Sequence, residues 1–234
     1  MKISESIELI NRGKFAASEQ WISIRTAIHN AIRLAEWPVG RGEFIIHPES
    51  GKKSKRGNGV VPIKAKPMQT LKDDGWTLEY PWAVTSRVSV VGKTEKQPGK
   101  GSKPGHIDAA KQYDQGLVVV EWETGNVSSS HRAINKMALG LVEKKCIAGV
   151  LVVPNMRLAK YLTDRIGNIE ELRPYFPLWQ ALNITEGVLE LVVIEQDGDS
   201  VDVPRIPKGK DGRSREGAAN ALKKSVENKG SEEE

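Results

Sequence analysis

The spacing of apolar residues along the chain predicts helices and strands in alternation. Apolar residues recur at helical spacing after a capping residue, Ser18, so residues 18–36 are predicted to form an amphipathic helix that ends before Pro38. Four short runs of β-branched residues, each bounded by turn residues, predict strands at 87–91, 117–123, 148–153 and 188–195. Helical patterns separate the last three of these strands.

The first of those helical patterns has an apolar face made of Ile134, Met137, Ala138, Leu141 and Val142. The second starts at Asn155 and continues through Leu158, Tyr161, Leu162 and Arg165. The pattern of residues 220–229 predicts a C-terminal helix. The resulting order of elements is typical of an α/β fold, with a central mixed β-sheet flanked by helices.

Length and composition favour one domain with basic loops. The chain has 234 residues, 38% of them hydrophobic, which is enough for one compact core, and we predict a single domain over residues 1–229. Residues 47–59 and 92–106 are rich in Gly, Lys, Ser and Pro and predict exposed basic loops. The acidic end, residues 230–234, is predicted to be a short disordered tail.

The sequence also excludes several classes of protein. It contains no run of about 18 apolar residues and no apolar segment at its start, so we expect a cytoplasmic protein with no membrane partner. Cys146 is the single cysteine, which rules out an internal disulfide, and it has no Cys or His neighbours at the spacing of a zinc site.

The net charge is +5, and the basic residues are clustered. The clusters are Lys52, Lys53, Lys55, Arg56, Lys64 and Lys66; Lys93, Lys96, Lys100 and Lys103; and the stretch from Arg205 to Arg215. Such clusters can neutralise the phosphates of a nucleic acid. An ordinary solvated surface carries similar charges, so charge alone leaves both interpretations open.

Two acidic residues, Glu121 and Glu123, end the predicted strand 117–123. Because side chains alternate across a strand, both carboxylates lie on one side of it. Like charges on a half-buried strand raise each other's pKa unless a cation neutralises them, and Mg²⁺ prefers such oxygen ligands. The alternative is an exposed strand edge whose acids provide solubility.

An upstream acid favours a metal-dependent nuclease. Asp108 follows a glycine-rich loop and precedes the strand that carries the glutamate pair. An aspartate followed by Glu-x-Glu or Glu-x-Lys is the arrangement found in such nucleases. Asp114 competes for the upstream position, and spacing alone does not choose between the two aspartates.

Six blocks of the sequence resemble the BamHI family of type II restriction endonucleases, within the PD-(D/E)xK nuclease superfamily. The blocks are residues 58–64, 105–108, 121–136, 161–165, 170–176 and 206–212. They occur in the family's order across roughly two thirds of the chain, whereas the first 36 residues match weakly and residues 81–103 look longer than in the family. The resemblance implies a restriction endonuclease-like fold.

The resemblance also implies a metal site formed by Asp108, Glu121, Glu79 and the carbonyl of Trp122. Glu123 then stands where most of the superfamily has lysine, and we predict that it is the general base that activates water. We expect two Mg²⁺ ions at each site, and no nucleotide cofactor.

Residues suited to reading DNA follow the glutamate pair. Arginine can donate two hydrogen bonds to guanine, and aspartate can accept one from the amino group of cytosine. Asp164 and Arg165 are predicted to form one such pair of readers, and the resemblance implies Arg132 and Asp211 as a second. Each residue also has an ordinary structural interpretation, at a helix end or in a turn.

The resemblance places Asn126 and Ser128 near the inner A·T base pair, and Lys64 is predicted to contact DNA. Because the reading positions carry matching residue types, we expect the palindrome GGATCC, cut after the first G. A protein of this fold that cuts another sequence, or that binds DNA without cutting, is the alternative.

A palindrome read by one fold implies a twofold-symmetric homodimer on double-stranded DNA. The helix at 129–144 and the segment 170–176 resemble the family's dimer interface. The apolar stripe on that helix is equally consistent with ordinary core packing.

Overall fold

A six-stranded mixed sheet forms the centre of the structure. The computed structural model describes residues 1–50, 53, 57–83, 105–163 and 166–208. In chain order its strands are β1 (Lys2–Arg12), β2 (Ile45–Ile46), β3 (Thr77–Tyr80), β4 (Ile107–Tyr113), β5 (Gly116–Trp122), β6 (Ala148–Pro154), β7 (Gly187–Glu195) and β8 (Gly198–Asp199). The sheet has the order β1-β7-β6-β5-β4-β3, and β2 pairs separately with β8. Strands β5, β6 and β7 are parallel to each other, whereas β1, β4 and β3 join antiparallel to their neighbours.

Helices cover both faces of this sheet. They are α1 (Gly13–Ala16), α2 (Glu19–Arg33), α3 (Val61–Asp73), α4 (Val127–Val142), α5 (Met156–Ala159), α6 (Ile169–Leu172) and α7 (Phe176–Gln180), with a 3₁₀ turn at Arg173–Tyr175. Apolar residues of α2 and α3 pack with Val118 and Val120 of β5 on one face. Those of α4 pack with Val119 on the other face. The predicted mixed sheet flanked by helices is therefore confirmed.

The elements with the strongest periodic patterns occur where the sequence predicts them. Helix α2 begins after Ser18, whose hydroxyl accepts a hydrogen bond from the Trp21 backbone N–H at 3.1 Å, as expected of a capping residue. Strands β5, β6 and β7 are present, and α4 lies between β5 and β6. Each of these segments buries a continuous apolar face, which is the signal that periodicity detects.

Several other elements were not predicted, among them β1, β3, β4 and α3. The alternation along β1 is interrupted by Ser4-Glu5-Ser6 and by Leu9-Ile10, β3 has only four residues, and β4 mixes charged with apolar residues. Helix α3 contains Pro62 and Pro67, and a proline lacks the backbone donor that a helix interior uses. The predicted helix from Asn155 through Arg165 is wrong in extent, because α5 ends at Ala159.

Several predictions fall outside the described residues: the strand at 87–91, most of the loop at 92–106, the helix at 220–229 and the tail at 230–234. In the part of the chain that is described, no helix is long and apolar enough to cross a membrane.

Candidate active site

Three acidic residues stand side by side on neighbouring strands. Continuing the β4–β5 pairing by one residue places Asp108 opposite Glu121, and the β3–β4 pairing places Glu79 opposite Asp108. Asp114 lies in the turn between β4 and β5, at the other end of both strands. The structure therefore brings Asp108, and not Asp114, next to Glu121.

Glu121 is the buried member of this row. Its residue is 4% exposed, and the ammonium of Lys136 contacts its Oε1 atom. Burial raises the pKa of Glu121 to about 7; Lys136 opposes the rise, and the charges of Asp108 and Glu123 add to it. The cluster thus holds more negative charge than Lys136 balances.

Glu123 follows the end of β5 and is half-buried. Its backbone N–H donates to the Val152 carbonyl at 2.9 Å, which continues the pairing with β6. Burial and the charge of Asp108 raise the pKa of Glu123, whereas Lys64 and Arg132 oppose the rise. Glu123 therefore lies close enough to the other carboxylate and to both cations to respond to their charge.

A glycine makes room for this glutamate. A Cβ atom on Gly125 would lie 3.2 Å from Glu123 Oε2 and 3.4 Å from the Ser129 side chain, which is tighter than ordinary packing. Gly125 also accepts a 2.8 Å backbone hydrogen bond from Gly167, so the turn after β5 is fixed to the loop that follows α5.

Asp108 is held by two donors. Lys64 Nζ, on α3, lies 3.0 Å from Oδ1, and the Trp122 backbone N–H donates to Oδ2 at 2.8 Å. In an extended strand the N–H and C=O of one residue point to the same side, so the Trp122 carbonyl also faces β4. The predicted carbonyl ligand is therefore directed toward Asp108.

Glu79 occupies the outer position in the row. Its φ is 52°, a left-handed conformation that is uncommon for any residue except glycine and that costs backbone energy. The side chain is exposed, and one carboxylate oxygen lies 3.8 Å from His106 Nδ1. Glu79 is thus aligned with Asp108 in the sheet, but its carboxylate lies at the rim of the cluster, beside His106, which immediately precedes β4.

The donor chemistry of the cluster fits a magnesium ion. Its carboxylates come from Asp108, Glu121 and Glu123, and Mg²⁺ prefers oxygen ligands of this kind. Among the described residues, however, no group of three acid, histidine or cysteine side chains is arranged as a complete metal site. The ammonium groups of Lys64 and Lys136 contact the carboxylate oxygens instead. A metal ion bound here would therefore share these carboxylates with the two lysines.

The first turn of α4 presents the candidate reading residues. Asn126 caps the helix, since its side-chain oxygen accepts a hydrogen bond from the Ser129 backbone N–H at 3.1 Å. Asn126, Ser128 and Arg132 are all exposed. The exposed candidate reading residues at the start of α4 are thus separated from Glu121 and Glu123 only by the short segment between β5 and α4.

The other predicted readers, Asp164, Arg165 and Asp211, lie outside the described residues. The chain just after the first two is described, and there the Gly167 backbone N–H donates to the Gly125 carbonyl, in the segment that follows β5.

The chain that leads toward Asp211 is held by a buried asparagine. The Asn58 side chain donates to the Tyr161 carbonyl at 2.8 Å and accepts from the Ile206 backbone N–H at 3.1 Å. The Gly59 backbone N–H donates to the Ile206 carbonyl at 2.8 Å. The prediction of an exposed loop at 47–59 is therefore wrong at its end, because Asn58 and Gly59 are buried to satisfy these backbone groups.

Comparison with known proteins identifies the family. The sequence profile described as restriction endonuclease BamHI matches residues 1–213. The chain belongs to the BamHI restriction endonuclease family. It is 40% identical over 214 residues to the type II restriction enzyme OkrAI of Oceanobacter kriegii, covering 92% of this chain and 99% of that protein. It is 34% identical over 230 residues to the type II restriction enzyme BamHI of Bacillus amyloliquefaciens, covering 96% and 95%.

A solved structure agrees at the level of the fold. The crystal structure of restriction endonuclease BglII complexed with a DNA 16-mer matches with a TM-score of 0.54 and 13% identity, over 84% of this chain and 79% of that one. The predicted restriction endonuclease-like fold is thereby confirmed. Together with the family, the curated relatives show that this chain is an enzyme, a type II restriction endonuclease.

Sequence reasoning overlooked Lys136. This residue lies inside a block that resembles the BamHI family, but its neighbours Ile134 and Met137 belong to an apolar helical face, and lysine is usually exposed. One available signal was its spacing, four residues after Arg132, which places both cations on the same side of α4.

Proposed function

We propose that this enzyme cuts double-stranded DNA at GGATCC, after the first G, in a reaction that requires Mg²⁺. The observation that carries the proposal is the alignment of Asp108 and Glu121 across adjacent strands, one turn of chain before the exposed side chains of Asn126 and Arg132. A misread base that displaces the start of α4 would also displace the carboxylates. Reading and cutting are therefore linked by their position.

In the proposed mechanism the chain binds the metal and moves one proton. Asp108 and Glu121, with Glu79 and the Trp122 carbonyl beside them, would hold two Mg²⁺ ions. When bound, Mg²⁺ polarises the scissile phosphate and stabilises the leaving 3′ oxygen. Glu123 accepts the proton of the attacking water, a role that its raised pKa favours because the base then binds that proton more strongly.

Cations on either side of the carboxylates complete the site. Lys64 lies beside Asp108, and Arg132 lies near enough to Glu123 to lower its pKa against the stronger effects of burial and Asp108. In the proposal Lys64 contacts a DNA phosphate, and Arg132 binds guanine. The products are DNA ends with a 5′ phosphate and a 3′ hydroxyl.

Digestion of a plasmid of known sequence, followed by sequencing of the ends, tests the proposal. We expect cuts only at GGATCC with Mg²⁺, and binding without cutting with Ca²⁺. Cuts at another sequence would refute the assigned site, and binding without cutting in both metals would point to a non-catalytic DNA-binding protein.

We also propose that the active form is a homodimer built on α4 and the segment 173–180. That segment packs against the helix: the His131 and Tyr175 rings lie 4.5 Å apart, and Trp179 Nε1 donates to the Asn135 side chain at 2.8 Å. Large apolar side chains remain exposed on the same two elements, namely Leu139, Val142, Tyr175 and Leu178. An exposed apolar patch of this kind is typical of an interface between proteins.

The mass in solution tests this interface. Leu178→Glu places a charge on the proposed contact and should convert the dimer to a monomer in light scattering after gel filtration. Val201→Glu is the matched control, because Val201 is similarly exposed but lies after β8. A dimeric Leu178→Glu protein, or a monomeric parent, would contradict the proposal.

A further inference from the structure

Lys136 is unusual among the lysines that the structure describes, because it is the one that is buried. Its residue is 7% exposed, and its neighbours along α4, Ile134, Met137 and Ala138, are core residues. Burying an ammonium ion is costly unless it is paired and hydrogen-bonded. We therefore expect Lys136 to have hydrogen-bonding and charged partners that offset the cost of its burial.

The structure supplies two partners, one on β5 and one immediately before β4. The ammonium contacts Glu121 Oε1 at the end of β5, and it donates to the His106 carbonyl at 2.6 Å. His106 lies immediately before β4, two residues before Asp108. One ammonium group therefore connects α4 to Glu121 itself and to the backbone that leads into Asp108.

The same helix begins at the candidate reading residues. Arg132 lies one turn before Lys136, and Asn126 caps the helix. Helices are stiff over this length, so a small rotation or shift at the DNA-facing end moves Lys136 relative to both strands. The exposed reading side chains and the buried carboxylates are thus joined through one residue.

We propose that Lys136 is a positioning residue that couples the reading end of α4 to the two carboxylates of the active site. It orients the Glu121 carboxylate and fixes the backbone at His106, two residues before Asp108, so that both carboxylates acquire the geometry needed for metal binding when α4 is seated on its DNA site. Lys136 does not touch the reacting atoms. The role rests on the proposed metal-dependent cleavage.

The test separates DNA binding from chemistry. In Lys136→Met the side chain keeps much of its length and loses its charge and donors. We expect the affinity for the duplex in Ca²⁺ to change less than about threefold, and the single-turnover cleavage rate constant to fall about 10- to 100-fold, the usual effect of losing a group that orients a metal ligand. The Mg²⁺ concentration for half-maximal rate should rise.

A matched control is available on β4. Lys111 also bridges a carboxylate and a backbone carbonyl, in its case both from Asp74, near the hairpin end of the sheet and away from the acidic cluster. Lys111→Met should keep the parental rate constant. With enzyme in saturating excess over the DNA, a loss of part of the folded protein does not change the single-turnover rate constant, so a purely structural role for Lys136 would leave that constant unchanged.

A parental rate constant in folded Lys136→Met would overturn the proposal. If that variant does not fold, Lys136→Gln, which retains a hydrogen-bond donor, carries the same test with the same expected loss and the same refuting outcome. The parent enzyme is assayed in parallel on the same plasmid DNA, with Mg²⁺ and with Ca²⁺. A parent that uses another metal or site refutes the proposed function, and the variants are then compared on the substrate that the parent cuts.

Discussion

Two buried glutamates in the same sheet have opposite environments. Glu190, on β7, accepts hydrogen bonds from Ser6 Oγ, from Arg25 Nε at 3.0 Å and from His29 Nε2 at 3.1 Å. Burial alone would raise its pKa, but these donors outweigh burial and the pKa is lowered. Among the described residues, Glu121, on β5, has one oppositely charged partner, Lys136, and its pKa is raised to about 7.

The difference shows what each carboxylate can do. The donors around Glu190 stabilise its ionised form. Glu190 therefore links strand β7 to helix α2, and it gains little from binding a further cation. Glu121 is buried beside the negative charges of Asp108 and Glu123, and Lys136 does not offset burial and these charges together, so the pKa of Glu121 is raised. Its energy falls when a cation or a proton arrives, which suits a metal ligand and does not suit a structural ion pair.

The largest expected effect is on cleavage. Glu123→Ala, which removes the proposed base, should lower the single-turnover rate constant by about 10²- to 10⁴-fold, and Glu121→Gln should do so at least as strongly. Glu190→Gln should leave the rate constant of folded enzyme unchanged, because Glu190 lies on the opposite face of the sheet. Full activity of Glu121→Gln would contradict the contrast between Glu121 and Glu190, and full activity of Glu123→Ala would refute its role as the base.

The pH dependence of stability should have opposite signs. The stability contributed by Glu190 is present above its unfolded pKa of about 4.5 and is lost as the pH falls through its lower folded value. The contribution of Glu121 is present below pH 4.5 and is lost as the pH rises to about 7. Relative to the parent, Glu121→Gln should therefore gain about 3 kcal/mol in free energy of unfolding from about pH 4.5 to pH 8.

Glu190→Gln should regain stability relative to the parent on acidification below pH 4.5, since the parent loses the stability of its ionised carboxylate there. Urea unfolding of parent and variants across this pH range measures both slopes. Slopes of the same sign for the two variants would contradict the comparison.

At neutral pH, Glu190→Gln should reduce the free energy of unfolding by about 1–3 kcal/mol. The substitution weakens the hydrogen bonds from Arg25 and His29, and the new amide NH₂ group faces a neighbouring donor where the carboxylate accepted a hydrogen bond. Arg25 is partly exposed, which limits the loss. Urea unfolding is the measurement, and a parent-like midpoint and slope would show that the donors around Glu190 add no stability.

The smallest expected effect comes from a single donor. Ser6→Ala removes one of several hydrogen bonds to Glu190 and should cost about 1 kcal/mol of stability without changing cleavage. The same substitution should cost less when Glu190 is already glutamine, because the two residues interact directly. Equal costs in both backgrounds would mean that Ser6 stabilises the fold in some other way.

The predictability of the fold followed the strength of local patterns. Strands β5, β6 and β7 are apolar runs buried on both faces, and α2 and α4 have wide apolar stripes, so their sequences alone specify their conformation. Strand β3 has only four residues, and β1 and β4 mix charged with apolar residues; all three are strands because a neighbouring strand offers its backbone groups. Helix α3 forms despite its prolines, because Ile63, Met68 and Leu71 complete the core.

The candidate site divides in the same way. Alternation along a strand placed Glu121 and Glu123 together in the prediction, because that relation is local. The choice between Asp108 and Asp114 depended on the pairing of two strands, and spacing left it open until the resemblance to the BamHI family favoured Asp108. The structure gives the physical reason: the β4–β5 register brings Asp108 to Glu121 and leaves Asp114 in the turn.

By itself the sequence determined the family, the central strands and the residues that carry charge and hydrogen-bonding groups. Only the tertiary structure decided which of those groups meet: Lys136 with Glu121, Lys64 with Asp108, and a set of donors with Glu190. The reason is physical. Local patterns depend on a residue's neighbours along the chain, whereas burial and charge pairing, which set the pKa of Glu121, depend on distant segments brought together by folding.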